Sequence, residues 1–179
     1  MRKLIVGSFV SLDGVVEGPM SWASPYFDDE SKAEAFRSLE HVEYFLLGRV
    51  AYSYFASRWP QIRGDPYMDR LNGMKKLVAT RTLTDVTWNA SILDGDVGAQ
   101  LRAIKAQPGG DIMKYGVTNL DQTLLANRLV DEYKLSILPT RVGDGKRAFE
   151  DVDSALVNLE LVDTRRFRNG VVTLTYVPR

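Results

Sequence analysis

The chain contains no cysteine, one histidine and no excess of either charge. Without cysteine there is no disulfide, no thiolate metal site and no cysteine nucleophile. With His41 alone, a histidine-rich metal centre is excluded. A Ser-His-Asp triad would have a single candidate base, and no G-x-S-x-G elbow is present. Twenty-three Lys and Arg balance twenty-three Asp and Glu, which gives no electrostatic footprint for nucleic acid or an acidic membrane surface. Long apolar runs are missing as well, since nothing approaches the roughly 20 residues that span a bilayer. The opening MRKLIVGSFVSLDG is apolar only briefly, broken by Gly7, Ser8 and Ser11, and reads as a buried first strand rather than a signal peptide. A cytoplasmic protein is the expectation. The 179 residues, 45% apolar and 26% charged, suit one domain with a sizeable core.

Hydrophobic patterning alternates between strand and helix. Residues 3–10 form a β-rich run that looks buried on both faces. A glycine-punctuated loop, LDGVVEGPM, follows and leads to Trp22. Residues 28–40 read as a polar-faced helix with Phe36 and Leu39 inward, and 43–47 as a second strand ending at Gly48-Arg49. An aromatic-rich helix over 50–57 precedes a loop with Trp59-Pro60 and Asp65-Pro66. Lys75–Ala79 is a third strand, 86–93 an extended segment, and 96–106 a helix closed by Pro108-Gly109-Gly110. Within 109–149 come a strand at Asp111–Tyr115, Gly116, a helix capped by Thr118, a further strand and a glycine-bracketed loop around Asp144. The tail offers strands at 155–162 and 171–177 joined by Asn169-Gly170, a favoured hairpin turn. The order implies a single α/β domain over 1–179, with a mainly parallel sheet, helices on both faces and a C-terminal antiparallel hairpin.

Three strand ends share one pattern: Leu47-Gly48-Arg49, Ala79-Thr80-Arg81 and Tyr115-Gly116-Val117-Thr118. In open α/β sheets ligands bind beyond the carboxyl ends of the strands, so all three loops are expected along one edge. A guanidinium just past a strand grips phosphate with paired donors, and a glycine turn before a helix lets phosphate approach the backbone. Two such arginines suggest the 2′-phosphate of NADP; pairing with a surface carboxylate is the ordinary alternative for either one alone. Trp22 either walls a substrate pocket or simply packs. His41 reads as a surface or capping residue, and Asp131-Glu132 as structural.

The segments LIVGSFVSLDGVVEG, LLGRVAYSYF, KKLVATRTL, GGDIMKYGVTNLDQTLL and LVDEYKLSILPTRVGDGKRAF, in that order, resemble the dihydrofolate reductase superfamily. They are most similar to the branch that includes the reductase domain of the bifunctional riboflavin-biosynthesis deaminase–reductase. The resemblance implies a sheet of about eight strands flanked by helices, and NADPH along its carboxyl edge. It assigns Gly48 and Arg49 to the cofactor phosphates, and Ala79, Thr80 and Arg81 to the segment holding the 2′-phosphate. Gly116, Val117, Thr118, Asn119 and Leu120 would receive the pyrophosphate. Val16 falls in the family's mobile active-site loop beside the nicotinamide, and Ser91 toward the adenine. Where dihydrofolate reductases proper carry two glycines at the third turn, this chain has Gly116-Val117. Asp28, Asp29 and Glu30 stand near the position of the carboxylate that holds the pterin ring. The resemblance implies an NADPH-dependent reductase of a small heterocyclic, carbonyl or imine substrate, acting as a homodimer. The alternative is a nucleotide-binding or dimeric scaffold that keeps the fold without turnover.

Overall fold

The computed structural model describes residues 1–179. The main elements are β1 (Leu4–Ser11), α1 (Asp29–Ser38), β2 (Val42–Gly48), α2 (Arg49–Ala56), α3 (Pro66–Gly73), β3 (Lys75–Ala79) and β4 (Ala90–Leu93). These are followed by α4 (Val97–Ala106), β5 (Asp111–Tyr115), α5 (Leu120–Ala126), β6 (Glu132–Leu138), β7 (Leu159–Arg166) and β8 (Val172–Pro178). Eight strands make one sheet in the order β4-β3-β2-β5-β1-β6-β8-β7. The sheet is mostly parallel, and only β8, beside β6 and β7, runs against its neighbours. This is the α/β architecture with an antiparallel C-terminal hairpin that the sequence pattern implies. No helix is long and apolar enough to cross a membrane. The chain forms two compact units, one of Met1–Leu4 with Ala35–Lys114 and one of Ile5–Glu34 with Tyr115–Arg179.

In the first unit β2 and β3 are apolar almost throughout, as strands covered on both faces require. Phe45, Leu46, Leu47, Leu77 and Val78 are buried there, each side chain contributing about 1.5–3 kcal/mol. Phe55 stacks on Trp59 at 3.8 Å between ring centroids, and Trp88 meets Trp59 edge-on at 6.1 Å. Lys76 is buried against this cluster, its ammonium 4.2 Å from the centre of the Trp88 ring. It donates to the Asn72 and Met74 carbonyls, both at 2.7 Å, and so satisfies the carboxyl end of α3. The Asn72 side chain accepts from Trp88 Nε1 at 2.8 Å. Trp88 and Asn89, whose side-chain amide donates to the Met74 carbonyl at 3.2 Å, take left-handed conformations, φ 58° and 53°, which residues other than glycine seldom adopt.

At the amino ends of these strands the Arg2 guanidinium is buried. It pairs with Glu43 and donates to the carbonyls of Pro108 and Gly110. Gly110 is required by this packing, because a Cβ there would stand 2.6 Å from the His41 carbonyl. In the second unit β1 pairs with β6, and β8 joins β6 to β7. Leu138, Phe167, Val171 and Ala23 form a small core against which Phe9, Trp22 and Tyr26 pack.

Several expectations are corrected. Phe36 is 45% exposed and α1 buries no residue; Leu39 is buried, but it lies beyond the helix end, where helical spacing no longer directs it. Asp65-Pro66 opens α3 rather than a loop, with the Asp65 carboxylate accepting from Met68 N–H and proline in the first turn. Of 86–93 only Ala90–Leu93 is strand, since left-handed Trp88 and Asn89 cannot extend it. Residues 154–156 form a 3-10 turn, so β7 starts at Leu159 and reaches Arg166.

Burial pulls the Lys76 pKa from 10.5 down to about 8. Between those values the unfolded chain holds a proton that the folded chain has lost, so stability rises with pH across the window. Urea unfolding should show wild type gaining about 2 kcal/mol on Lys76→Met between pH 7.5 and 10. A difference that stays flat would mean the ammonium carries no burial penalty. Gly110→Ala should cost about 1–3 kcal/mol, because the new methyl meets fixed backbone. Thermal denaturation measures this, and an unchanged midpoint would show that the His41 strand end can yield.

Candidate functional site

Parallel register levels the strand ends of the first unit. Gly48 is opposite Ala79, and Ala79 opposite Leu93, so β2, β3 and β4 stop together. Arg49, the first residue of α2, and Thr80-Arg81, which open the loop after β3, therefore lie on one edge, as expected of these two strand ends. Both guanidinium groups are exposed and neither is paired within the chain, so the surface-carboxylate alternative is not realised. A Cβ at Gly48 would meet nothing within 4 Å, which leaves open space at that turn. Thr80 is nearly buried, and its hydroxyl oxygen accepts from Thr82 N–H at 3.2 Å and Leu83 N–H at 3.1 Å. With its acceptor capacity filled, that hydroxyl has only its proton left to give, on the same strand-end edge as Arg49 and Arg81, a set of donors suited to an anion. Ser91 is apart from this group: it is opposite Leu77, two residues short of the edge.

In the second unit β1 and β6 end level at Ser11 and Leu138. The loop after β1 is fastened to the loop after β6. Val15 bridges Arg147, and Val16 N–H donates to the Lys146 carbonyl at 2.8 Å. Asp13 accepts from Ser11 Oγ at 2.6 Å, Gly143 N–H at 2.7 Å and Val142 N–H at 3.1 Å. These bonds hold its carboxyl well below the usual carboxylate range. Val16 is buried at the centre of this fastening. Trp22 is half-buried, its indole N–H donating to the Glu17 carbonyl at 2.9 Å, which anchors the loop's exit. Gly145, at φ 125°, comes so close that a Cβ would be 2.9 Å from Val15 Cγ1.

The turn after β5 differs from the expected phosphate cradle. Gly116 does take a left-handed conformation, φ 79°. Three of the four amides from Gly116 to Asn119 are already used, however. Gly116 donates to the Gly7 carbonyl at 2.8 Å, Val117 to Ser8 Oγ at 3.4 Å, and Thr118 to Asp121 Oδ2 at 2.7 Å. Thr118 caps the start of α5 as expected: Asn119 is already helical and makes no side-chain cap bond, while Thr118 Oγ1 accepts from Leu120 N–H at 3.3 Å and Asp121 answers on the Thr118 amide as a capping box. With seven residues, α5 is short, and Asp121 in its first turn is fully buried. The other Asp121 oxygen accepts from the Tyr133 hydroxyl at 3.0 Å. Burial beside that carboxylate pushes the Tyr133 hydroxyl pKa up.

The three candidate acids lie at the start of α1. Asp28 Oδ1 accepts from Ser31 N–H at 2.9 Å, a capping bond that lowers its pKa. Glu30 accepts from Arg168 N–H at 3.1 Å, and Asp29 is exposed. Sequence reasoning misses Asp13 and Asp121 as site residues. Asp13 carries a signal in Ser-x-Asp-Gly, a turn former, whereas Asp121 has the pattern of any first-turn acid. A cavity of about 680 Å³ opens at the amino ends of the first unit's strands, lined among others by Glu40, His41, Glu43, Arg70, Lys75 and Asp111. Its charges are mixed, and it lies away from the levelled strand ends.

Asp13→Asn should loosen the second unit's loops, because an amide has one acceptor where two backbone N–H groups and a hydroxyl converge. Hydrogen exchange at Val142 and Gly143 should speed up in the variant. In wild type the protection should persist to well below pH 4, since a depressed folded pKa keeps the anion until the pH falls through it. Loss of protection already at pH 4 would contradict the assignment.

A family model described as the RibD C-terminal domain matches residues 2–173. The Bacillus subtilis protein YyaP is 31% identical over 183 residues, covering 98% of this chain and 94% of its own. A putative riboflavin biosynthesis protein from Shewanella sp. PV-4 superposes with a TM-score of 0.73 at 20% identity, over 99% of both chains. Dihydrofolate reductase from Enterococcus faecalis, solved in complex with NADP(H), gives 0.65 at 15% identity, over 99% of this chain and 96% of its own. These two structures are likenesses of fold.

Proposed function

Because the chain belongs to the RibD C-terminal domain family, we propose that it is an NADPH-dependent reductase. Its substrate would be a small heterocycle of pterin or ribosylamino-pyrimidine type, or a carbonyl or imine. The observation that carries this reading is the anion-seeking group at the levelled strand ends: exposed, unpaired Arg49 and Arg81 with a Thr80 hydroxyl left only a proton to donate. In this reading Thr80 and Arg81, following Ala79, hold the 2′-phosphate, and Arg49 with Gly48 takes further cofactor phosphate oxygens. Gly116, Val117, Thr118, Asn119 and Leu120 would border the pyrophosphate, Val16 the nicotinamide and Ser91 the adenine side. When bound, NADPH would supply the hydride; the protein orients it and sets the field. Trp22 is proposed as part of the substrate pocket wall. Asp28, whose acidity capping increases, would serve as an ionised anchor for a substrate N–H rather than as a proton donor. For a homodimer, the support is β7, an outer strand on which Leu161 and Val162 are 48% and 53% exposed.

One observation favours the second reading, a nucleotide-binding scaffold without turnover: Asp28 and Glu30 already serve the fold at the start of α1. NADPH oxidation across pterin, ribosylamino-pyrimidine and quinone substrates separates the two, binding without oxidation favouring the scaffold.

Quenching of tryptophan emission by NADPH measures the binding. Arg81→Ala should weaken NADPH by about ten- to a hundredfold, the loss of a charge-assisted bond, and leave NADH nearly unchanged. Equal weakening of both would remove Arg81 from the 2′-phosphate.

A further inference from the structure

The turn of the C-terminal hairpin reaches the segment that enters α1. Asn169 Oδ1 accepts from Val171 N–H at 3.1 Å, and Gly170 takes a left-handed φ of 88°; these two features are what the turn itself requires. The Asn169 amide nitrogen is spent elsewhere. It donates to the Tyr26 carbonyl at 2.7 Å and to Ser31 Oγ at 3.2 Å, on either side of Asp28. Ser31 completes the arrangement, its N–H on Asp28 Oδ1 at 2.9 Å and its hydroxyl on the Tyr26 carbonyl at 3.0 Å. Hydrogen bonds to Asp28, from Ser31 N–H first and from the Asn169 amide with it, favour the anion. The other charged side chains at this junction are Asp29, Glu30 and Lys32 on α1 and Arg168 in the turn, and none pairs with Asp28. Upstream, Trp22 and Tyr26 pack on Leu138, Phe167 and Val171, and the Tyr26 hydroxyl donates to the Pro139 carbonyl at 3.2 Å. The root of the hairpin thus backs the whole stretch from Trp22 to Ser31.

Resting on the reading of Asp28 as anchor and Trp22 as pocket wall, we propose that Asn169 is a positioning residue of the substrate site. Its amide fixes where the Asp28 carboxylate stands relative to the wall segment, whereas its carbonyl oxygen serves only the turn. The hairpin turn therefore governs the hold on the substrate and leaves the hold on the cofactor untouched.

Asn169→Ser is the direct probe, because a serine oxygen can still accept from Val171 N–H while the amide donor is lost. The ligand used is pterin, whose adjacent N–H donors suit a carboxylate. Pterin fluorescence should show wild type binding it, Asp28→Asn binding it more weakly, and Asn169→Ser losing about tenfold in affinity. Added to Asp28→Asn, the same change should cost less than about twofold, and NADPH affinity in Asn169→Ser should not move. Unchanged pterin binding by Asn169→Ser overturns the inference, as does an equal loss in the Asp28→Asn background or a parallel loss for NADPH. If Asn169→Ser does not fold, wild type decides by NMR: the Asn169 side-chain NH2 signals should move as the Asp28 carboxyl titrates, and signals that stay fixed overturn the inference. Pterin that does not bind wild type, or binds Asp28→Asn equally well, removes the anchor reading and this inference together. A loss in Asp28→Asn without one in Asn169→Ser removes only the inference.

Discussion

A strand that stops in a parallel sheet leaves backbone amides and carbonyls without ladder partners, and in a buried setting each must be satisfied. In this chain polar side chains do much of that work. Thr80 takes two amides after β3, Asp13 takes two from the loop after β6, and Asp121 takes one after β5. Lys76 performs the same service for the Asn72 and Met74 carbonyls at the carboxyl end of α3. Once these groups are committed, the loops at the strand ends have little freedom left.

That constraint shapes the chemistry available. A hydroxyl that has accepted two amides has only its proton left to give, and the hydrogen bonds to Asp13 hold its carboxyl well below the usual carboxylate range. Thr80, although buried, is thus left as a hydrogen-bond donor at the end of β3, whereas Asp13 is a poor candidate for moving protons. The same backbone requirement thus leaves a hydroxyl proton and exposed cations at the strand ends of the first unit, and amides already committed at the Gly116 turn in the second.

The sheet is legible in the sequence because strands buried on both faces are short apolar runs, and β3 and β5 can be read to the residue. The hairpin, too, is visible in Asn169-Gly170, although β7 is exposed along nearly its whole length and its start is lost in a polar stretch. Elements governed by capping are harder. α3 hides behind Asp65-Pro66, which reads equally as loop, and α1 carries too few apolar residues for its spacing to mean anything. At the candidate site, Arg49, Thr80 and Arg81 can be found because they follow strand ends, which periodicity locates. Asp13 and Asp121 escape because what matters about them is which donor is within reach, and the Val142, Gly143 and Tyr133 donors are distant in sequence. No pattern of residue types in one chain encodes such a contact.

The distribution of charge favours one kind of chemistry over another. The cations at the first unit's strand ends are exposed and unpaired, while Asp13, Asp28, Glu30 and Asp121 are each engaged by backbone donors. General acid catalysis needs a carboxyl group that holds a proton and is free to deliver it, and the backbone N–H bonds to Asp13 and Asp28 lower their pKa and favour the anion. Hydride transfer makes a smaller demand: the two reactants must be held at the right distance and angle, with the phosphates gripped far from the reacting carbon. In the proposed reading, the exposed guanidiniums of Arg49 at the start of α2 and Arg81 after β3 would meet that demand. The proton that completes the proposed reduction would then come from a group other than Asp13 or Asp28, whose carboxyls are held toward the anion by backbone donors.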